Sequence, residues 1–214
     1  MIIQCDFDGT ITEEDVSFML LDAFAQGDWR KWFQEYRDNK ISVGEFNTRA
    51  FAMVKAGRKE LLEVARSKVK LRAGLHELVA YCRSRGFRLV IVSNGLDFYI
   101  KSILKDVGLG DIEVYAAQTR FHRGRLKVQY IGPDGTPLIS DFKEAYIRAF
   151  LRQGYRVIYV GNGPSDIAPA VLAHHIFARD GLLDCCREMN LKCTPFDDLN
   201  DIVTSLEFLT PTTL

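Results

Sequence analysis

No charge of one sign prevails in this sequence. Its 28 lysines and arginines are matched by 28 aspartates and glutamates, so nothing pulls the whole chain toward nucleic acid or an anionic membrane. No stretch approaches the roughly 20 apolar residues of a membrane helix. The apolar start is broken by Asp6 before it can read as a secretory leader. Cysteine is sparse and unsuited to a structural role. The five, Cys5, Cys82, Cys185, Cys186 and Cys193, are odd in number and match no zinc spacing. Free thiols in a reducing compartment, hence a cytoplasmic setting, are the expectation. Internal repeats and low-complexity segments are missing as well.

What is present suits a globular protein. Hydrophobic residues at 47% and charged residues at 26% of 214 positions are enough for one medium domain, or a domain carrying a smaller insert. The run Met1-Ile2-Ile3-Gln4-Cys5 reads as a buried strand. From about Glu13 to Leu71 strand signal is nearly gone. There Phe18, Leu21, Trp29, Trp32, Phe33, Tyr36 and Phe46 fall into helical spacings punctuated by Gly27, Gly44 and Gly57. Beyond it, strands over 87–92, 155–160 and 175–178 alternate with helices over 74–85, 97–107, 141–153, 165–174, 182–190 and 199–206. Short strands fill 112–131, with a hairpin turn near His122-Arg123-Gly124-Arg125, and residues 210–214 are expected to fray. Such alternation implies an α/β fold, a Rossmann-like parallel sheet with helices on both faces. Ligands of such sheets bind beyond the carboxyl ends of the strands.

Three strands end in polar, glycine-bearing loops, at 6–12, 93–97 and 161–166. Asp6 and Asp8 stand two residues apart, so an extended chain turns both to one face. Two carboxylates that close repel unless a cation lies between them or one is protonated. Such hard oxygens suit magnesium. Gly9 permits tight backbone geometry and Thr10 adds a hydroxyl. Ser93 offers another hydroxyl. Asn94 and Gly95 offer N–H groups at an expected helix start, where unpartnered donors attract phosphate. Taken singly, these loops fit ordinary turns and caps equally well, and a lysine such as Lys143 fits a solvated helix face.

Taken together, Asp6-Phe7-Asp8-Gly9-Thr10-Ile11-Thr12 after an apolar strand resembles the signature of the haloacid dehalogenase-like hydrolase superfamily. The resemblance implies that Asp6 attacks phosphorus and becomes an aspartyl phosphate. It implies that Asp8 protonates the leaving oxygen and then activates water. Ser93 takes the place of the second motif's Ser or Thr. The phosphate-holding lysine maps to Lys143, at the start of a helix, rather than to Lys127 in the hairpin. Gly161-Asn162-Gly163-Pro164-Ser165-Asp166 takes the place of the metal-binding motif, with Asn162 where the family usually has an acid. Asparagine keeps an oxygen but removes a charge, so weaker metal binding is expected. The implied substrate and phosphate contacts are Thr10, Ser93, Asn94, Gly95, Lys143 and Asp15. The implied Mg2+ ligands are Asp6, Asp8, Asn162 and Asp166.

In that superfamily a helical stretch after the first motif is a type-1 cap. The resemblance therefore divides the chain into a core, residues 1–13 and 73–214, and a cap, residues 14–72, similar to the phosphoserine phosphatase-like branch. Asp15, at the start of the cap, is then a substrate contact or simply an acid at a helix N-terminus. Ser93-Asn94-Gly95-Leu96-Asp97-Phe98, Gly163-Pro164-Ser165-Asp166-Ile167-Ala168-Pro169-Ala170 and Phe177-Ala178-Arg179-Asp180-Gly181-Leu182-Leu183-Asp184 are similar to the phosphatases acting on 2-hydroxy-3-keto-5-methylthiopentenyl-1-phosphate. Those carry a cysteine-rich loop before the lysine, whereas 131–142 has no cysteine. Phosphocholine and phosphoethanolamine phosphatases share the branch. The implied activity is magnesium-dependent hydrolysis of a small phosphorylated metabolite, without nucleic-acid or membrane partners. A phosphotransferase or mutase, and a non-catalytic phosphate-ligand binder, stay open as alternatives. His122, His174, His175 and the Arg179-Asp180 pair read as structural.

Overall fold

The computed structural model describes residues 1–122 and 125–209. The tip of the expected hairpin turn, Arg123 and Gly124, and the tail 210–214 lie outside the described residues. Eight strands join in one sheet: β1 (Ile2–Cys5), β2 (Arg88–Leu96), β3 (Glu113–His122), β4 (Arg125–Ile131), β5 (Pro137–Leu138), β6 (Val157–Gly161), β7 (His175–Ala178) and β8 (Thr194–Pro195). Their order is β5-β4-β3-β2-β1-β6-β7-β8. All neighbours pair in parallel except β3–β4 and β4–β5. The inner strands read as mainly apolar runs because both faces are covered, and β1 and β6 are buried throughout.

Strand β1 sits between β2 and β6, with Cys5 paired to Ile91 on one side and Val160 on the other. The chain leaves β1 toward β2 and later returns to its opposite side. The connections therefore diverge at the carboxyl end of β1 and leave a crevice there. Strand β2 outruns the expected 87–92. Its register against β3 shifts between Val92 and Leu96, and pairing resumes at Leu96 with Ala117. Ser93, Asn94 and Gly95 thus form a bulge inside a strand, because β3 is long enough to keep pairing beyond them.

Five helices lie between β1 and β2, and the first four form an insert: α1 (Val16–Phe24), α2 (Arg30–Arg37), α3 (Val43–Phe51) and α4 (Arg58–Lys68). Asp15 caps α1 by accepting the Phe18 N–H, and Ser42 with Glu45 closes a capping box on α3. The apolar spacing gathers Phe18, Trp29, Phe33, Tyr36 and Phe46 into one aromatic cluster, with Phe18 and Phe33 4.9 Å apart between ring centres. Trp32 instead lies under Lys31 and Arg49. The insert docks on the rest through α3. Ser42 Oγ donates to the Ile139 carbonyl at 2.6 Å, and Asn47 Nδ2 donates to the Asn94 carbonyl at 2.9 Å and the Tyr130 hydroxyl at 2.6 Å. Gly44 lies so close that a Cβ would meet the Ile139 carbonyl oxygen.

The remaining helices are α5 (Leu75–Ser84), α6 (Asp97–Asp106), α7 (Phe142–Arg152), α8 (Ile167–Val171), α9 (Asp180–Glu188) and α10 (Leu199–Leu209). The helix expected over 165–174 is shorter. A 3₁₀ turn, Pro164–Asp166, precedes it, and Leu172 and Ala173 end it with bonds back to Pro169 and Ala170. His175 meets Thr194, and Arg179 pairs with exposed Asp180 while donating to the Asp197 carbonyl. Among the described residues no helix is long and apolar enough to cross a membrane.

Candidate active site

Asp6 follows directly on β1, and its N–H is tied to the Val160 carbonyl at 2.9 Å. Phe7 turns the other way, fully buried in the core, so Asp6 and Asp8 face the same cavity. That cavity, of about 210 Å³, is lined by Asp6, Asp8, Asp15, Ser93, Asn94, Gly95, Lys143 and Asn162, with Ser17, Phe18, Phe33, Tyr36, Phe46 and Asn47 from the insert. A wider cleft past Tyr36, Asn94 and Pro164 opens onto it. Residues from three loops and four helices, separated by up to 156 positions in the chain between Asp6 and Asn162, are brought together by the sheet order and the docking of the insert.

Lys143 occupies the first turn of α7, fixed there by the Gln4 side chain, which donates to the Lys143 carbonyl at 3.0 Å. The ammonium is buried, 2.8 Å from Asp6 Oδ1 and 2.6 Å from Asp166 Oδ1, with Ser165 Oγ at 3.3 Å. Burial works against its charge, but Asp166 and Asp6 outweigh burial and hold its pKa above the ordinary lysine value. Lys127, the other candidate, is exposed on β4.

Asp166 is fully buried, and donors surround it. Oδ1 accepts from Lys143 and from the Tyr159 hydroxyl at 2.6 Å, while Oδ2 accepts the N–H groups of Asn162 at 3.0 Å and Gly163 at 2.9 Å. Four donors fill the acceptor positions of one carboxylate. Asp166 therefore shapes the Asn162 loop and backs Lys143 from behind the cavity wall, and as placed it keeps no free oxygen for a cation. Thr10 is also behind the wall: its hydroxyl donates to Asn162 Oδ1 at 3.0 Å instead of facing the cavity. The N–H of Gly95 is spent on Ser93 Oγ at 2.9 Å, and α6 begins only at Asp97, so the expected helix-start donors at 94 and 95 are not such donors. Asn94 gives its carbonyl to Asn47 and Tyr130, and its Oδ1 has no hydrogen-bond partner among the described residues. Asp15 both caps α1 and lines the cavity.

Asp8 differs from Asp6 in its partners. Its Oδ1 accepts the Val16 N–H at 3.0 Å and its Oδ2 accepts the Tyr99 hydroxyl at 2.5 Å. The two carboxylates share a face but are not bridged. Among the described residues no three acid, histidine or cysteine side chains converge as a metal-ligand cluster, and the further oxygen donor beside the acids, Asn162, is an amide. Sequence reasoning also missed Tyr99, Ser17, Asn47 and Arg72. Arg72 is a clamp, its Nε donating to the Thr10 carbonyl at 2.8 Å and its Nη2 to the carbonyls of Gly9 and Thr12 at 3.0 and 3.3 Å. No spacing rule marks a buried tyrosine or a linker arginine in advance.

The charge balance of this site is uneven. Around one ammonium, Lys143, stand the carboxyls of Asp6, Asp8, Asp15 and Asp166. Burial, with Asp166 adding to it and Lys143 opposing, pushes Asp6 up to about 7. Burial and the neighbouring Asp15 push Asp8 well above the carboxylate range, against the Tyr99 hydrogen bond. Burial lifts Asp15 to about 6, against the N–H groups of Phe18 and Ser17. A site so short of positive charge, walled by carboxylate and amide oxygens, fits a hard divalent cation such as Mg2+.

A family model described as haloacid dehalogenase-like hydrolase matches residues 3–170. A 2-hydroxy-3-keto-5-methylthiopentenyl-1-phosphate phosphatase of Geobacillus kaustophilus is 31% identical, over 97% of this chain and 96% of its own length. That of Brevibacillus brevis is 29% identical, over 97% and 95%. Among solved structures, a phospho-aspartyl intermediate analogue of phosphoserine phosphatase superposes with a TM-score of 0.71 at 19% identity, covering 95% of this chain and 97% of its own. A hydrolase of the same family from Salmonella enterica serovar Typhi gives 0.75 at 18% identity, over 100% and 72%. The structural likenesses carry the fold, and the family match spans all three loops that meet at the crevice. This chain belongs to the haloacid dehalogenase-like hydrolase family.

Proposed function

We propose that the chain hydrolyses a small phosphomonoester through an aspartyl phosphate on Asp6, with Mg2+ as cofactor. The observation that carries this reading is the buried Lys143 ammonium joining Asp6 to Asp166 at the switch point of the sheet, opposite Ser93. A phosphoryl group seated there would meet Lys143 and the Ser93 hydroxyl on its oxygens, with Asp6 placed to attack. Charge compensation and positioning of this kind dominate phosphoryl transfer.

Asp6 and Asn162 supply the oxygens best placed for Mg2+, with Asp8 beside them and Asp166 as a support. Bound there, the ion would favour the ionised form of Asp6 and offset charge on the phosphoryl oxygens. In the first step an Asp6 oxygen bonds to phosphorus and the bond to the leaving oxygen breaks, while Asp8 gives that oxygen its proton. In the second, Asp8 takes a proton from water. The water oxygen then bonds to phosphorus, and the phosphorus–Asp6 bond breaks to release phosphate. The two carboxyls are suited to their different tasks by environment. Asp6 faces an ammonium, whereas Asp8 faces no side-chain cation and burial raises its pKa well above the ordinary carboxylate value.

Residues 14–72 would act as a cap over a core of residues 1–13 and 73–214. Support comes from the base of the insert, where Thr12 bridges Leu71 and the Arg72 N–H bonds the Ile11 carbonyl at 2.8 Å, so both linkers leave the core together. The cap would exclude water and shape the leaving-group pocket. Its contribution to the cavity is aromatic, with Asp15, Ser17 and Asn47 as its polar groups, and among the described residues Lys143 is the one cation lining the cavity. Lys143 is already committed to Asp6 and Asp166. Within the cavity a carboxylate on the leaving group, as in phosphoserine, would therefore meet Asp15 without a counter-charge, since Arg37 and Lys40 line only the wider cleft beyond it. A neutral, partly apolar leaving group fits better. 2-hydroxy-3-keto-5-methylthiopentenyl-1-phosphate, named for the relatives, has that chemistry. The five free thiols support the cytoplasmic setting.

The test is phosphate release from a panel of phosphorylated metabolites with Mg2+, using wild type and Asp6→Asn. Wild type is expected to prefer neutral leaving groups over phosphoserine, and Asp6→Asn to lose turnover on every substrate. Equal rates for the two proteins would overturn the assignment of the nucleophile.

A further inference from the structure

We propose that Tyr99 is a positioning residue for the proton transfers of Asp8, and that Ser17 holds it in place. The inference rests on the phosphatase reading above. Tyr99 stands in the first turn of α6, fully buried and absent from the cavity wall. Its hydroxyl donates to Asp8 Oδ2 at 2.5 Å and lies 2.9 Å from Ser17 Oγ. A phenol has one proton, and Tyr99 gives it to Asp8, so Ser17 must donate to the phenolic oxygen.

The geometry fixes Asp8 from two sides. Val16 and Ser17 are the first two residues of α1, and they reach Asp8 directly through the Val16 N–H and indirectly through Tyr99. Both carboxyl oxygens are thereby tied, one to the insert and one to α6. The torsion of the Asp8 side chain, and with it the direction in which a proton leaves, is set jointly by those two helices. Gly95 makes the arrangement possible. A Cβ at that position would overlap both the Tyr99 hydroxyl and Asp8 Oδ2. Without a side chain there, the phenol reaches the carboxyl beneath the second loop.

A buried tyrosine needs some partner for its hydroxyl in any fold, so the test must separate aiming from mere support. Proton delivery matters for an alkoxide leaving group and hardly for nitrophenolate, which departs unprotonated. Water activation by Asp8 in the second step is common to both. Magnesium-loaded wild type, Tyr99→Phe and Ser17→Ala are compared on n-butyl phosphate and p-nitrophenyl phosphate by rapid mixing. Tyr99→Phe is expected to release nitrophenol in a burst at the wild-type rate and then turn over slowly. On n-butyl phosphate its first turnover slows about tenfold or more, with KM unchanged. Ser17→Ala, which leaves the aromatic core whole, shows the same split at smaller amplitude and keeps the test alive if Tyr99→Phe folds poorly. Wild-type behaviour in both variants, or equal losses on both esters with a raised KM, would overturn the role of Tyr99 while leaving the phosphatase reading intact. Failure of wild type on both esters would overturn that reading itself, and the inference with it.

Discussion

Asn162 is the residue at which this chain departs most from the chemistry its site calls for. Its Oδ1 accepts the Thr10 hydroxyl at 3.0 Å, and its amide nitrogen lies against Gly9, whose φ of +76° is a left-handed conformation costly for any side-chain-bearing residue. Asn162→Asp changes no shape in that contact but adds a negative charge beside Asp6. The magnesium concentration for half-maximal activity should fall by about tenfold, equivalent to about 1.4 kcal/mol of extra attraction. A magnesium titration of phosphate release and calorimetric binding of Mg2+ would read it, and an unchanged or weaker affinity would show that Asn162 does not face the ion. At Gly95 the expectation is steric. Gly95→Ala forces apart Tyr99 and Asp8, so chemical denaturation should show a loss of about 1–3 kcal/mol together with lost activity.

Between elements, the loop after β1 is held by a side chain from outside it. Arg72, at the return of the insert, donates to the carbonyls of Gly9, Thr10 and Thr12, and through Nη1 to the Asp197 carbonyl at 3.2 Å. A planar guanidinium can span such a set, whereas an ammonium cannot. Arg72→Lys should therefore cost about 1.5–3 kcal/mol in chemical denaturation and lower kcat more than it raises KM, since it loosens the catalytic turn rather than the pocket. A change in KM alone would place Arg72 in substrate binding instead. Much of this element-level arrangement was legible in the sequence, and what was not has a physical reason. Buried parallel strands announce themselves as apolar runs, so the three loops at 6–12, 93–97 and 161–166 could be placed at one edge. The insert's helices showed in spacings of three and four, as in Phe18-Leu21 and Trp29-Trp32-Phe33-Tyr36. The bulge in β2 could not be read, because it depends on how far β3 extends beside it. Nor could the surroundings of Asp166, two of whose four donors are backbone N–H groups that no residue type reveals.

Over the whole molecule the formal charges are evenly matched, 28 against 28, but the crevice concentrates acids around the buried Lys143, and this imbalance should govern stability. Asp6 is raised to about 7 and Asp15 to about 6 by burial, each above its value in an unfolded chain. Asp8 and Asp166 face Asp6 as further acids, with Lys143 the cation opposing them. A carboxyl with a raised folded pKa binds its proton more tightly when folded. Its favourable share of stability is complete below the unfolded value near 3.8 and is lost as pH climbs through the folded value. Metal-free protein should consequently melt at a lower Tm at about pH 8 than at about pH 5, the range that spans both raised groups. The lowered pKa of His175 works in the opposite direction, so the comparison needs a control. Asp6→Asn supplies it, because removing the carboxyl flattens the decline without touching His175. Magnesium at about pH 8 should restore the wild-type Tm, through linkage to the folded state, and restore less in Asp6→Asn. If the metal-free protein were equally stable at both pH values, or if magnesium raised the Tm of Asp6→Asn as much as that of wild type, the crevice would not be the seat of the imbalance.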